Sequence, residues 1–180
     1  GEVLTTLDEQ DRLCTTDTLL ICDANGPIAV AGIMGGENSS IREDTTDVIL
    51  EAANFNAGNI RRTSTRLGLR TDSSARFEKS LDPANAEKAA HLFSDLLGTL
   101  CPNMQAYGSL IDVAAPPAGQ RVIRLDPELV AQRLGIPVTI GHVRQVLGQL
   151  GFKVFDESSG HLRLLVPSWR YRDIAIAEDL

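Results

Sequence analysis

The chain has few aromatic residues, few cysteines and no long hydrophobic stretch. Aromatic residues make up 4% of its 180 residues, so extensive stacking of aromatic side chains on nucleic-acid bases is not expected. The three cysteines, Cys14, Cys22 and Cys101, show no Cys-x-x-Cys spacing, which argues against zinc or a disulfide framework and favours free thiols in a reducing compartment. Without a membrane-length run or a signal peptide, we expect a cytoplasmic protein with no membrane partner.

Positive charge is also in deficit. Seventeen Lys and Arg residues against 24 Asp and Glu residues give a net charge of −7, so the whole chain is not a general nucleic-acid binder. Its 43% hydrophobic and 23% charged residues are typical of a globular protein. The length suits one medium domain or two small ones. Because the chain opens at Gly1 within an apparent strand, we interpret it as a segment of a longer protein.

Residues 31–83 combine small and polar residues between two apolar runs. Gly35 and Gly36 follow the apolar run 28–34 and allow a positive φ and a close approach of a backbone amide to a ligand. On the glycines alone, an ordinary hairpin turn is the commoner explanation. The pattern therefore leaves a binding turn and a structural turn open.

A strand is predicted over Asp47–Phe55, where alternation places Glu51 on the same face as Ile49 and Ala53. A carboxylate on an otherwise apolar face must find a hydrogen bond or a cation, or its pKa rises. In a cleft it can serve as a general base or bind an ammonium group. The alternative is an edge-strand glutamate that reaches solvent.

A helix is predicted over Asn59–Leu67, with Asn56 as its N-cap and Gly68 as its end. Basic residues are concentrated in and after this helix, and a phosphate-bearing partner would suit them. The other interpretation is a solvated face paired with Glu43, Asp44 and Asp47. The basic residues are Arg61, Arg62, Arg66, Arg70, Arg76 and Lys79.

The Pro/Ala/Gly-rich stretch Ala114–Gln120 predicts a linker and gives two domains, 1–115 and 116–180. Before it we expect a helix over Pro83–Leu97, stopped by Gly98, and a closing strand over Met104–Val113.

After the linker, the patterns predict a strand at 122–125, helices at 127–134 and 140–150, and two strands around a turn at 157–160. This order is winged-helix-like, and such folds often bind nucleic acid. The second helix carries Arg144 as its one basic side chain, so direct DNA reading is not expected. Trp169 is expected to be a packing anchor.

Four blocks of the sequence resemble the β subunit of bacterial phenylalanyl-tRNA synthetase. They are GIMGGE, TTDVILEAANF, RRTSTRLGLRTDSSARFEKSLDP and PSWRYRD, in that order along the chain. The resemblance implies an α+β fold: a mixed-sheet portion of the B3/B4 editing domain that lacks its N-terminal part, followed by a small winged-helix-like B5 domain that lacks its C-terminal end.

The resemblance also implies an editing site. Glu51 matches a glutamate that recognises the mischarged amino acid and helps to place the hydrolytic water. Gly35, followed by Gly36, matches the turn that lines the amino-acid pocket, and Thr71 matches a pocket threonine. Ser73 stands where the family usually has alanine, so its hydroxyl narrows the pocket or adds a hydrogen bond and places the usual preference for tyrosine in question.

The segment contains only part of two further features of the family, the editing histidine and a magnesium site. The family uses an editing histidine from a motif that none of His91, His142 and His161 matches, so we expect the isolated chain to be inactive. Asp173 and Asp179 match two ligands of a magnesium ion shared with the α subunit, and with only these two we expect weak or no magnesium binding. ATP is used by the α subunit and is not bound here.

The resulting functional hypothesis is a segment of phenylalanine–tRNA ligase that contributes to hydrolytic editing of Tyr-tRNA(Phe), tRNA binding and assembly with the α subunit in an α2β2 enzyme. Two other hypotheses remain: a free-standing deacylase of mischarged tRNA, and a non-catalytic module that binds RNA or a protein.

Overall fold

A computed structural model describes residues 1–113, 120–157 and 160–180. The chain divides into two compact units, Gly1–Asn103 and Met104–Leu180. Apart from Gln120, the predicted linker lies outside the described residues, as does the predicted boundary between residues 115 and 116, which stays a prediction. None of the described helices combines the length and apolarity needed to cross a membrane.

The strands of the first unit are short and antiparallel. Strands β1 (Val3–Thr5) and β2 (Asp11–Leu13) form one pair, and strands β3 (Leu20–Cys22), β4 (Pro27–Val30) and β5 (Met34–Gly35) form a second sheet in that order. An isolated bridge between Thr6 and Gly36 links the two groups. The bridge joins the residue after β1 to the residue after β5.

Three helices complete the first unit: α1 (Ala57–Leu67), α2 (Asp72–Phe77) and α3 (Asn85–Leu100). The prediction for α1 is confirmed at both ends, because the Asn56 side chain accepts from the Asn59 amide at 3.0 Å and Gly68 has a φ of 65°. A small core packs between the sheets and α1, and its buried members include Leu4, Cys14, Val30, Ile33, Ile60 and Leu69.

The predicted end of α3 is wrong, since the helix passes through Gly98 to Leu100. A glycine inside a helix costs about 1 kcal/mol relative to alanine, and the residues on both sides of it continue the helix. Asp82, which precedes the predicted start of this helix, does not cap it directly. Its carboxylate accepts from the Ala84 amide at 3.0 Å, while the helix begins at Asn85 without a side-chain cap.

Two predicted strands are wrong. Residues Asp47–Phe55 and Met104–Val113 contain neither helix nor strand. A strand needs a neighbour to satisfy its backbone amide and carbonyl groups, and no described strand pairs with either segment. Several of their apolar side chains are consequently solvated, as in Ile49 at 99% exposure and Val113 at 92%.

The second unit matches its predicted pattern. Strand β6 (Val122–Leu125) is followed by helices α4 (Pro127–Leu134) and α5 (Ile140–Gln149) and by strands β7 (Lys153–Asp156) and β8 (Leu162–Leu165). The sheet is antiparallel in the order β6-β8-β7. With small antiparallel sheets and five helices among the described residues, the α+β class is confirmed.

The ends of these helices explain why the prediction succeeded. The Asp126 carboxylate accepts from the Glu128 amide ahead of α4, Gly135 ends that helix with a φ of 71°, and Thr139 caps α5. Each of these contacts is local, so the sequence alone carries it. The helices then bury one face against the sheet, with a core that includes Leu125, Val143, Leu147, Leu162, Leu164 and Ile174.

Candidate functional site

A hollow of about 640 Å³ opens in the first unit. Its walls come from β4 and β5, from residues 50–55, and from α2 and α3. This volume is in the range of small-molecule sites, which are concave, mainly apolar and furnished with a few polar groups. Most of the lining here is aliphatic or aromatic, and Phe55 and Phe77 meet within it with ring centroids 5.0 Å apart.

In the predicted binding turn, Gly36 is needed for close packing, and neither glycine is needed for an unusual backbone conformation. Neither Gly35 nor Gly36 has a positive φ. A Cβ at Gly36 would lie 2.7 Å from the Ile28 carbonyl oxygen, which already accepts from the Gly36 amide. The Gly36 amide is therefore committed to the fold. Gly35 lines the hollow, whereas Gly36 is not among the lining residues.

The positive φ of this region belongs to Gly32, a residue for which the sequence predicted no role. Gly32 has a φ of 66°, and a Cβ there would lie 2.7 Å from a ring carbon of Phe55. Its place directly after the apolar strand β4 was the available clue. Gly32 thus brings the turn against Phe55 and closes one side of the hollow.

Glu51 lines the hollow and its side chain remains exposed. It stands on an irregular segment and not on the apolar strand face predicted for it. The carboxylate makes no hydrogen bond or ion pair with any described residue, and the loss of hydration beside the walls raises the pKa of Glu51 above its ordinary value. An unpartnered carboxylate in an apolar hollow is suited to meet a ligand or a water molecule.

Two hydroxyl groups fasten α2 to the turn after β4. Thr71 donates to the Ile33 carbonyl oxygen at 2.8 Å, and Ser73 donates to the Gly32 carbonyl oxygen at 2.9 Å. Thr71 also caps α2 by accepting from the Ser74 amide. Ser73 lines the hollow, whereas Thr71 is not among its lining residues. The structure thus places Gly35, Glu51 and Ser73 on one hollow, and their roles there stay predictions.

The basic residues after α1 find acids other than those considered from the sequence. Glu78 lies 3.5 Å from Arg70 and 3.2 Å from Lys79, and the Lys79 hydrogen bond leads the effects that lower the pKa of Glu78. Arg76 lies 3.9 Å from Asp72. The suggested pairing with the acids at positions 43, 44 and 47 is wrong, because no described basic residue forms an ion pair with them.

The arginines of α1 have two different environments. Arg66 donates to the hydroxyl groups of Thr15 and Thr18, so it holds the loop before β3. Arg61 and Arg62 are exposed and form no ion pair with any described residue. These two guanidinium groups are therefore available to a partner.

The donor set at the end of the second unit does not by itself fit magnesium. Arg170 donates to Asp173 at 2.7 Å, and the amides of Ala175 and Ile176 donate to Asp179 at 2.7 and 3.0 Å, which lowers the pKa of Asp179. The described residues include no group of three or more His, Cys, Asp or Glu side chains that could hold a metal ion. Magnesium requires near-octahedral oxygen ligands, and these two carboxylates are already engaged.

Trp169 is less buried than a packing anchor would be. Its side chain is 59% exposed, and its ring rests against Gly151, where a Cβ would lie 2.6 Å from the indole. The second unit also contains an apolar groove of about 500 Å³ between α4, α5 and the residues near Leu180. Arg144, the one basic residue of α5, is paired with Asp156, so this helix offers no free cationic row.

The comparison with known proteins gives both units a family. The family model of the B3/4 domain matches residues 1–102, and that of the tRNA synthetase B5 domain matches residues 123–180. The first match covers more than half of the chain.

The curated relatives share one name. The chain is 43% identical over 176 residues to the "Phenylalanine--tRNA ligase beta subunit" of Salinibacter ruber, an alignment that covers 98% of this chain and 21% of the relative. It is 42% identical over 184 residues to the protein of that name in Bacillus licheniformis and 37% identical over 185 residues to that in Solibacter usitatus. These two alignments cover 100% of the chain and 22% and 24% of the relatives. The chain therefore belongs to the B3/4 domain family and joins that domain to a tRNA synthetase B5 domain, as a segment of the phenylalanine–tRNA ligase beta-subunit type.

Proposed function

We propose that the first unit supplies part of a hydrolytic editing site that removes tyrosine wrongly joined to tRNA(Phe). The observation that carries this proposal is the unpartnered carboxylate of Glu51 on an apolar hollow of about 640 Å³. The likeness to phenylalanine–tRNA ligase beta subunits supports the choice of substrate.

The proposed reaction is ester hydrolysis by water. Glu51 takes a proton from the water as its oxygen bonds to the ester carbonyl carbon. The bond between the carbonyl carbon and the ribose oxygen then breaks as Glu51 gives the proton to that leaving oxygen, which releases tyrosine and leaves a hydroxyl group on the tRNA end. A raised pKa makes Glu51 a stronger base than an ordinary glutamate as long as it is ionised. The Gly36 amide cannot stabilise the oxyanion, because it is bonded to the Ile28 carbonyl oxygen.

The need for such a site follows from the similarity of the two amino acids. Tyrosine exceeds phenylalanine by one hydroxyl group, and a hydrophobic synthetic pocket rejects an added hydroxyl poorly. A second site that hydrogen-bonds this group selects the error. Ser73 places an oxygen on the hollow of this chain, and the usual alanine offers none there.

Deacylation of Tyr-tRNA(Phe) by the full-length protein, assembled with its α subunit, tests the proposal. Glu51→Ala is expected to slow hydrolysis by about 100-fold or more, the loss typical of a missing general base, while charging with phenylalanine stays near normal. Glu43→Ala, which removes an exposed acid outside the hollow, is the matched control. Unchanged hydrolysis in Glu51→Ala would refute the role of Glu51.

The remaining parts of the proposal concern partners. We infer that α1 contributes to tRNA binding through the exposed Arg61 and Arg62, and that the chain assists assembly with an α subunit in an α2β2 enzyme. We assign ATP to the α subunit and magnesium to a site shared with that subunit. No step of the proposed hydrolysis depends on either.

A free-standing deacylase is the competing enzyme hypothesis, and a binding module is the competing non-enzyme hypothesis. None of His91, His142 and His161 lines the hollow, and the proposed site needs a histidine from elsewhere, so the 180-residue chain alone is expected to show little deacylation. Robust turnover by the purified chain would favour the free-standing enzyme. A full-length protein that binds tRNA but never deacylates it would favour the binding module.

A further inference from the structure

Three cationic side chains gather around one carboxylate at the end of α2. The Nζ atom of Lys79 lies 3.2 Å and the Nη2 atom of Arg70 lies 3.5 Å from the same oxygen of Glu78, Oε1, so the two cationic groups stand side by side. The Lys79 hydrogen bond leads the effects that lower the pKa of Glu78, and the charges of Arg70 and Arg61 add to them. The Glu78 cluster, defined as Arg61, Arg70, Glu78 and Lys79, therefore has an excess of positive charge.

The carboxylate of this cluster is enclosed, whereas its cations face solvent. The side chain of Glu78 is 9% exposed, and those of Arg70 and Lys79 are 74% and 72% exposed. An ammonium group has three N–H donors and a guanidinium group has five, so one contact with Glu78 leaves both cations with donors to spare. Among the described residues, neither Arg70 nor Lys79 pairs with a second acid.

The cluster lies on the stretch of chain that also forms part of the wall of the hollow. Phe77 and Leu81 line the hollow, and Glu78 and Lys79 lie between them without lining it. Lys79 is two residues from each of these lining residues, so its backbone is within about 7 Å of theirs. A ligand whose acyl end enters the hollow can therefore reach the cluster with the part that stays outside.

The excess positive charge favours a ligand with several negative charges. Guanidinium and ammonium groups are the usual protein partners of phosphate, the first as a planar fork and the second as a point charge. The neighbouring Arg76 adds no net charge, because it pairs with Asp72 at 3.9 Å. Successive phosphates of a nucleic-acid strand place negative charges along a line, which suits cations that stand side by side.

We propose that Arg61, Arg70 and Lys79 bind backbone phosphates next to the acyl end of an aminoacylated RNA. This inference rests on the proposed function for the placement of the ester in the hollow, and it adds a second contact region that holds the strand leading to the ester. A free polyphosphate offers the same chemistry as two neighbouring backbone phosphates, so the experiment must separate these two sources.

Binding of an uncharged tRNA(Phe) transcript by the full-length protein, assembled with its α subunit, tests the inference. The double variant Arg70→Ala with Lys79→Ala is expected to reduce the slope of log affinity against log salt by about 1.4, because each contact with a single strand releases about 0.7 counterion. A transcript that lacks its four 3′-terminal nucleotides is expected to bind the variant and the unchanged protein with equal slopes, since it lacks the phosphates in question.

Glu78→Gln tests the same place with the opposite sign. Glutamine keeps an oxygen that accepts from Lys79 and removes the negative charge that opposes the phosphates. The intact transcript is therefore expected to bind this variant about threefold more tightly, as expected for a charge some 7 Å away in a hydrated setting. A purely structural role of Glu78 gives no such gain. Arg144→Ala and Asp156→Asn, which break an ion pair of the second unit, are the matched controls and should change neither slope nor affinity.

Three results would overturn the inference in variants whose circular dichroism is unchanged. They are an unaltered slope in the double variant, the same loss with the shortened transcript, and a Glu78→Gln protein that does not bind more tightly. Calorimetric titration with inorganic tripolyphosphate separates the two sources. If the double variant loses tripolyphosphate binding but keeps its tRNA slope, the cluster serves a free polyphosphate and the RNA assignment falls.

This inference and the editing role can fail separately. Normal hydrolysis by the full-length Glu51→Ala protein together with the expected changes in tRNA slope would remove the editing role and keep the phosphate contacts. Loss of hydrolysis in Glu51→Ala together with unaltered slopes in the cluster variants would keep the editing role and remove the phosphate contacts.

Discussion

Glu51 shows how a single side chain can be correctly located for an incorrect reason. The sequence predicted it in a cleft because an apolar strand face would force it there, yet the segment forms no strand and Ile49 beside it is almost fully exposed. Its membership of the hollow comes from contacts between distant segments, such as Asn54 with Leu81. Contacts of this kind leave no local pattern in the sequence.

The pH dependence of Glu51 provides the first prediction. Its raised pKa means that the folded chain binds the proton more tightly than the unfolded chain, so the stability of the fold decreases as pH rises through that pKa. Glu51→Gln should remove this dependence and be the more stable protein at neutral pH, and the difference should vanish below the ordinary glutamate pKa. Urea unfolding of both proteins across acidic to neutral pH measures it. A larger advantage of Glu51→Gln at acidic pH would contradict the sign.

Gly35 and Gly36 give a matched pair at the same scale. A Cβ at Gly36 would meet the Ile28 carbonyl oxygen at 2.7 Å, whereas a Cβ at Gly35 would meet only the side chain of Leu7, at 3.3 Å. Gly36→Ala should therefore destabilise the fold by about 1–3 kcal/mol, the usual cost of overpacking, and Gly35→Ala by clearly less. Urea midpoints of the two variants compare them directly, and a larger loss in Gly35→Ala would show that the clash is misplaced.

At the scale of whole elements, local caps separate the correct predictions from the wrong ones. Helix α4 was predicted at both ends because Asp126, Pro127 and Gly135 each act on their own neighbours. The absent strand at residues 47–55 required a partner strand, which no local pattern can supply. The continuation of α3 through Gly98 likewise depended on the flanking residues and not on the glycine itself.

Two glycines of the second unit should respond to alanine in opposite directions. Gly148 lies inside α5 with no atom near the position of an added Cβ, so Gly148→Ala should stabilise the chain by about 0.5–1 kcal/mol through helix propensity. Gly135 ends α4 with a φ of 71°, a conformation that alanine adopts at a cost of about 1–2 kcal/mol. Thermal unfolding of both variants tests this, and the same sign of change in both would contradict it.

For the whole molecule, charge is distributed unevenly. The chain carries a net charge of −7, yet Arg61 and Arg62 stand exposed on α1 without an ion-pair partner among the described residues. Composition alone excluded a general nucleic-acid binder, and the sequence correctly located the basic residues along the chain. The sequence could not show which arginines form hydrogen bonds within the fold. Arg66 is one of them, because it donates to the hydroxyl groups of Thr15 and Thr18.

Removal of these two guanidinium groups should weaken tRNA binding by the full-length enzyme. If both contact phosphates, Arg61→Ala with Arg62→Ala should reduce the slope of log affinity against log salt by about two, because each contact releases close to one counterion. Arg144→Ala removes an arginine that is already paired with Asp156, and it should leave the slope unchanged. Filter binding at several salt concentrations gives the slopes, and equal slopes in all three proteins would exclude these arginines from the contact.

Arg121 closes the second unit on itself. Its guanidinium donates to the carbonyl oxygens of Tyr171 and Ile174 and lies over the Tyr171 ring at 4.2 Å. Residue 121, just before β6, is therefore held against residues 171–174, which follow β8. The strands and helices between these contacts are thereby tied at both ends by one side chain, so fraying from either end must first break the same guanidinium contacts.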